Sequence, residues 1–229
     1  ECSLLMYSRQ GISDVERWID DIASKGINLI AISGVFSPSD PAQELMVGER
    51  VKEKIPGARV TLSHRIGRMG LLERENAALL NSSLLPLADK VVDSFASALK
   101  DRQIDCPFYI SQNDGTLMSA EFAAEFPALT FASGPTNSLR GASLLAQLDD
   151  AVVVDIGGTT SDIGVLQDGF PRQSNIAIEV GGVRTNFRMP DIQAIGLGGG
   201  SLVRDGGKRI GPQSVGYQLV TEGLVFGGD

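Results

Sequence analysis

The chain has 229 residues, of which 42% are hydrophobic, and carries a net charge of −8. That length holds one or two domains with a real core, and the acidic balance excludes a nucleic-acid-binding surface. No apolar run approaches the ~20 residues of a membrane-spanning helix, so no membrane partner is expected. Cys2 and Cys106 make neither a disulfide framework nor a metal spacing, and a single histidine excludes a multi-histidine centre within the chain. A reducing, cytoplasmic compartment is the expectation. The chain opens on Glu1 and stops at GLVFGGD, so both ends are expected to be cut from a longer protein.

Residues 12–26 have helical periodicity, with Val15, Trp18, Ile19 and Ile22 on one face, Ser13 and Glu16 as a capping box, and Gly26 as the stop. Ile27 to Val35 is a nearly continuous apolar run, the pattern of a buried, parallel strand. A second helix over 41–57 ends at Pro56-Gly57, and Val60 to His64 alternates as another strand. Strand and helix in alternation predict an α/β fold. A long helical region then runs from Gly70 to Arg102, with a break or kink expected at Pro86.

Cys106 to Ser111 reads as a buried strand, followed by a turn at Gln112 to Thr116 and a short helix capped by Ser119. Leu129 to Ala132 reads as a strand running into Ser133-Gly134-Pro135-Thr136, where a helix starts, capped by Ser133 or Thr136. Free N–H groups at such a start favour an anion. Ala151 to Leu166, AVVVDIGGTTSDIGVL, is two apolar runs joined by a glycine and hydroxyl turn, a β-hairpin. A further strand is expected at Asn175 to Val180, and a second glycine loop at Gly196 to Ser201.

The hairpin tip carries the chemistry. Gly157 and Gly158 let backbone approach a phosphate, Thr159, Thr160 and Ser161 supply hydroxyls, and Asp155 and Asp162 offer hard oxygen ligands to Mg²⁺. Asp155 is expected at the end of a buried strand, where a carboxylate requires a cation or donors. The alternative for the same residues is a tight turn with local capping. GLGGGS is not a dinucleotide fingerprint, because Ser201 stands where the third glycine belongs, and no Walker loop occurs. His64 reads as a structural histidine at a strand end. Arg184, Arg188 and Arg204 lie among the glycine loops and equally suit phosphate or the excess acid.

With these motifs in order, the sequence resembles the hydantoinase/oxoprolinase family (hydantoin-utilisation protein A-like), within the actin-like ATPase superfamily. The matching stretches are Leu62–Gly67, Ile110–Ser119, Phe131–Ala142, Val152–Leu166, Ile195–Val203 and Arg209–Tyr217. The resemblance implies a partial actin-like (ribonuclease H-like) fold with a mixed sheet and a long helical linker. Residues 1–62 would be the tail of a first half, 63–105 the helical linker, and 106–229 a second half with its phosphate loop at 151–166.

The implied activity is ATP-dependent opening of cyclic amides such as hydantoins or 5-oxoproline, through phosphoryl activation of the amide. ATP and Mg²⁺ are the implied cofactors, with Asp155 and Asp162 catalytic and metal-binding. Gly157, Gly158, Thr159, Thr160 and Ser161 would hold phosphate, Gly198, Gly199, Gly200 and Ser201 would line the nucleotide side, and Ser133 and Gly134 would face the cleft. Alternatives are a sugar or small-acid kinase of the same fold, or a nucleotide-switched regulatory subunit. Asn113–Thr116 and Thr136–Arg140 depart from the family's usual residues, so the branch is divergent and its substrate open. The family opens with another DxGGT loop, and only one stands here. The expected partners are therefore the missing N-terminal half and a second subunit, and ATP hydrolysis by this piece alone is not expected.

Overall fold

The computed structural model describes residues 12–174 and 177–227. Cys2 and the first two residues of the expected 175–180 strand lie outside them. In chain order the elements are α1 (Ile12–Ser24), β1 (Leu29–Ile32), α2 (Ala42–Lys54), β2 (Arg59–Leu62), α3 (Leu71–Asp101), β3 (Tyr109–Ser111), β4 (Leu117–Ser119), α4 (Ala120–Glu125) and α5 (Ser133–Ala146). They continue with β5 (Ala151–Ile156), β6 (Ser161–Gln167), β7 (Phe170–Pro171), β8 (Ile178–Val180), β9 (Val183–Thr185), β10 (Ile192–Ile195), β11 (Ser201–Arg204), β12 (Arg209–Ser214) and α6 (Leu219–Glu222). The α/β class is as expected. Among the described residues two compact units form: residues 12–111, 117–131, 174 and 177–188, and residues 112–116, 132–173 and 189–227.

In the first unit β1 and β2 pair in parallel, Leu29 opposite Arg59 through Ile32 opposite Leu62. Val15, Ile19, Ile22, Ile30 and Val51 form the core between this pair and α1 and α2. The α1 periodicity therefore predicts the buried face correctly, and the chain leaves the helix through Gly26 in a left-handed conformation, φ +68°. The helix begins at Ile12, one residue ahead of the proposed cap at Ser13. β2 stops at Leu62, and Ser63–Arg65 form a 3-10 turn in place of the strand's expected last residues.

α3 runs unbroken through Pro86, against the expected break. A proline removes one helical N–H, and here its ring is exposed, so solvent rather than the core surrounds the disturbed turn. α3 packs against β1 and β2. Its fully buried Asn81 donates to Thr61 Oγ1 (3.1 Å) and the Glu125 carbonyl (3.0 Å), and accepts from the Ala128 N–H (3.2 Å). The expected buried strand at Cys106–Ser111 is only the short β3, paired antiparallel with β4, and Cys106 and Tyr109 are exposed. β-branched or aromatic content signals a strand here without saying what covers it. β8 and β9 form a hairpin tied to the start of α3, because Asn186 Nδ2 donates to the carbonyls of Arg68 and Met69, each at 3.0 Å.

In the second unit the strand order is β10-β6-β5, all antiparallel, with β7 extending from β6. Parallel and antiparallel pairings thus occupy separate sheets among the described residues, where one mixed sheet was expected. The expected strand at Leu129–Ala132 is absent: Pro127–Thr130 form a 3-10 turn. Ala132 is the residue before α5, and neither Ser133 nor Thr136 caps the helix through its side chain. Thr136 lies inside the helix, fully buried, and its hydroxyl donates to the Asn113 carbonyl at 3.1 Å.

α5 covers one face of the β6 sheet. A Cβ on Gly164 would stand 2.5 Å from Leu139, so this strand position admits only the smallest residue beneath the helix. The other face of β5 is bare among the described residues, with Val152, Val154 and Ile156 exposed at 69%, 52% and 69%. β5 is an edge strand, not the buried strand its apolar run suggests.

Candidate nucleotide-binding site

The hairpin forms as the sequence predicts. Asp155 pairs with Asp162 and Ile156 with Ser161, and Gly157 to Thr160 make the turn, closed by the Gly157 N–H donating to the Thr160 carbonyl at 2.9 Å. Opposed residues of an antiparallel pair project to the same side, so both carboxylates share one face. That is the face of Gly164, two residues from Asp162, and hence the face covered by α5.

α5 is directed so that its first turn lies toward the same end. Leu139 sits over Gly164, while Arg140 and Ser143 approach Gly169 beyond the far end of β6. Arg140 donates to the Gly169 carbonyl and stacks on Phe170, 3.9 Å from the ring centre. The opposite end of the helix, with Ser133 and Gly134, therefore points to the Asp155 and Asp162 end of the sheet. No hydrogen bond links that first turn to the hairpin tip among the described residues.

The second glycine loop, between β10 and β11, packs directly on the hairpin tip. Gly199 N–H donates to the Gly157 carbonyl at 2.9 Å, and Gly200 N–H to the Gly158 carbonyl at 2.7 Å. The Ser161 hydroxyl donates to the Leu197 carbonyl at 2.6 Å, and Ser214 to Gly158 O at 3.2 Å. The glycines are required by this approach: a Cβ on Gly198 would lie 2.6 Å from Gly157 O, and one on Gly200 2.9 Å from Gly158 O. Ser201 accepts from the Gly198 N–H at 2.9 Å, closing its own loop. Ser161 and Ser201 thus serve loop structure with their hydroxyls.

What remains free for a ligand is specific. Gly158, Thr159 and Thr160 are exposed, the N–H groups of Gly158 and Thr159 meet no protein acceptor, and the hydroxyls of Thr159 and Thr160 are unbonded among the described residues. These donors together with the two carboxylates fit a magnesium-bound phosphate, since Mg²⁺ is commonly held by one or two carboxylates plus phosphate oxygens. Among the described residues no three His, Cys, Asp or Glu side chains gather as a metal site. Gly199, Gly200 and Ser201 also line a cavity of about 500 Å³ with Val215, Leu219 and Phe226. Sequence reasoning does not reach this cavity, because its apolar wall comes from the chain's last described residues. Of the arginines noted above, Arg184 pairs with Glu73 (3.6 Å) and Arg204 donates to Gln213 (2.5 Å).

Residues 74–227 match the family model for hydantoinase/oxoprolinase. The chain belongs to the hydantoinase/oxoprolinase family. It is 25% identical over 207 residues to the caprolactamase subunit alpha of Pseudomonas jessenii, covering 86% of this chain and 29% of that one. It is 26% identical over 216 residues to the acetophenone carboxylase gamma subunit of Aromatoleum aromaticum, covering 89% and 29%. The crystal structure of the ATP-dependent caprolactamase from Pseudomonas jessenii superposes with a TM-score of 0.74 at 23% identity, over 94% of this chain and 32% of that chain. This hydantoinase/oxoprolinase member therefore spans about 30% of the length of the curated relatives it matches. No helix among its described residues is long and apolar enough to cross a membrane.

Proposed function

We propose that this chain is part of a cytoplasmic ATP-dependent hydrolase that opens cyclic amides of the hydantoin or 5-oxoproline type. The observation that carries the reading is the pair of N–H to carbonyl bonds from Gly199 and Gly200 to Gly157 and Gly158, which makes one surface of two glycine loops. In this reading Gly158 and Thr159 N–H and the Thr159 and Thr160 hydroxyls receive phosphate oxygens. Asp155 and Asp162 hold Mg²⁺, directly or through water. Gly198 to Ser201 line the nucleotide side above the apolar cavity, and Ser133 and Gly134 face the same end from α5. When bound, Mg-ATP supplies the phosphoryl group, and these residues act by position and fixed dipoles.

The same reading makes the fold a partial actin-like ATPase. Residues 1–62 are the tail of a first half, 63–105 a helical link, and 106–229 the second half. The remaining half carries a second phosphate loop. A second subunit is a further partner, supported by the relatives being named as subunits. The test is phosphate release by the full-length protein with Mg-ATP and hydantoin, 5-oxoproline or a sugar. Stimulation by a cyclic amide is expected. Stimulation by a polyol alone would point to a kinase, and no stimulation by any of them would overturn the reading.

A further inference from the structure

The near half of α3 is buried against β1 and β2, but its far half is not. Across residues 86–101 no side chain is fully buried, and only Ala88, Asp89, Val92 and Leu99 are half-buried. Leu87, Val91 and Phe95 follow one another at helical spacing, 58%, 55% and 52% exposed, and Ala98 continues the stripe. The chain returning from the helix braces one side of it. The Ile104 N–H donates to the Leu99 carbonyl at 3.0 Å, and the Phe95 and Phe108 ring centres lie 4.9 Å apart. A solvated helix face is polar, so a braced apolar stripe of this kind marks a face that meets another element.

The flanks of the stripe say what fits it. One flank carries Lys90, Ser94, Ser97 and Asp101, and the other Ala88, Val92 and Leu99. Neither Lys90 nor Asp101 makes an ion pair among the described residues. Turned antiparallel on itself about a twofold axis between Phe95 and Ala96, the helix is self-complementary. Lys90 then falls opposite Asp101 of the second copy, Ser94 opposite Ser97, and Val92 opposite Leu99, each relation occurring twice. Within the stripe, Ala98 of the second copy enters between Val91 and Phe95, a small residue between two large ones. Leu87 reaches the level of Ile104 of the second copy, which is itself exposed. An axis through Val91 would instead bring the two Lys90 ammonium groups together, so charge selects the first register.

We infer that the far half of α3 is a dimer surface that pairs antiparallel with α3 of a second copy of this chain. Leu87, Val91 and Phe95 supply its apolar contact, and Lys90 and Asp101 fix its register. The inference stands apart from the proposed activity.

The test uses the full-length protein with its own cysteines replaced by serine and one cysteine introduced. The register puts the two Ser94 positions about 4.5 Å apart along the helix axis, whereas those of Ser83, exposed on the same flank, lie about 38 Å apart. With a short bismaleimide, Ser94→Cys should cross-link to a dimer at least about tenfold faster than Ser83→Cys. Equal rates, or no dimer from Ser94→Cys, overturn the inference. In the Ser94→Cys background, Lys90→Glu and Asp101→Lys should each weaken the dimer at least about fivefold in sedimentation equilibrium. Joining the two substitutions in one chain restores opposite charges and should restore the dimer; failure to do so overturns the register. Every substituted side chain is exposed, so the variants keep the fold. Val91→Glu separates the remaining occupants. Loss of the dimer at an unchanged melting temperature is expected, whereas a lowered melting temperature or release of a different subunit, with the dimer intact, shows that something else covers the stripe and overturns the inference.

Discussion

The Gly200 N–H donates to the Gly158 carbonyl oxygen at 2.7 Å, joining two loops more than forty residues apart in sequence. The contact is possible because Gly200 has no side chain in the way. Gly200→Ala would put its Cβ 2.9 Å from Gly158 O and 2.7 Å from Ser214 Oγ. Gly198→Ala meets three backbone atoms of the hairpin tip within 2.8 Å. Each should destabilise by about 1–3 kcal/mol, the usual cost of overpacking, seen as a lower urea midpoint. Gly158→Ala has open space around its Cβ and should leave the midpoint within about 0.5 kcal/mol.

Asp155 and Asp162 oppose each other across β5 and β6. Like charges directly opposite on a sheet repel, so Asp155→Asn or Asp162→Asn should hold or slightly raise the melting temperature. In the full-length protein the same variants should bind Mg-ATP at least about tenfold more weakly, since each removes a hard oxygen ligand. Calorimetric titration measures this, and undiminished binding in both variants would remove these residues from the site.

Glu44 makes the first unit acid-sensitive. Burial works against its charge, but hydrogen bonds from Ser37, Ser63, Gly34 and His64 outweigh it and hold the folded pKa below the ordinary 4.5. As pH falls, the unfolded chain therefore takes up this proton first. The stabilisation is therefore fully present above about pH 4.5 and is lost as pH falls through the folded value. Glu44→Gln should flatten that part of the stability profile. It should also cost about 3–5 kcal/mol at pH 7, because Arg74 is left as an uncompensated buried charge. Urea melts at pH 7 and pH 4 check both statements.

Leu139 and Gly164 form a tight knob and hollow between α5 and β6. Leu139→Ala should cost about 2–5 kcal/mol through the cavity it leaves, and Gly164→Ala about 1–3 kcal/mol through the clash. Because the methyl added by Gly164→Ala would occupy part of the space vacated by Leu139, the double variant should be less destabilised than the sum. A coupling of at least about 1 kcal/mol in a double-mutant cycle is expected.

Much of the fold is legible because local signals agree with tertiary demands. The α1 stripe of Val15, Ile19 and Ile22 predicts its buried face, and the two apolar runs around Gly157 and Gly158 predict the hairpin. The errors arise where an apolar run does not say what covers it. Val152, Val154 and Ile156 have strand character yet stand exposed, and Leu129 to Thr130 belong to a 3-10 turn despite β-favouring neighbours. The candidate site is half legible: the residue types at each loop read as phosphate chemistry, but the bonds between loops are long-range. The Glu44–His64 pair is also long-range, and it does leave a trace. Glu44, Gly48 and Val51 share the buried face of α2, so an acid stands at a position that helical spacing assigns to the interior.

The open side of β5 bears on how this chain behaves in a test tube. Val152, Val154 and Ile156 line one face of a strand whose outer backbone edge is unpaired among the described residues. No charge, proline or bulge interrupts Ala151 to Val154, so a second molecule can add its own β5 alongside. Preparations of this chain by itself should gain mass with concentration in sedimentation experiments, and Val154→Lys should hold them monodisperse.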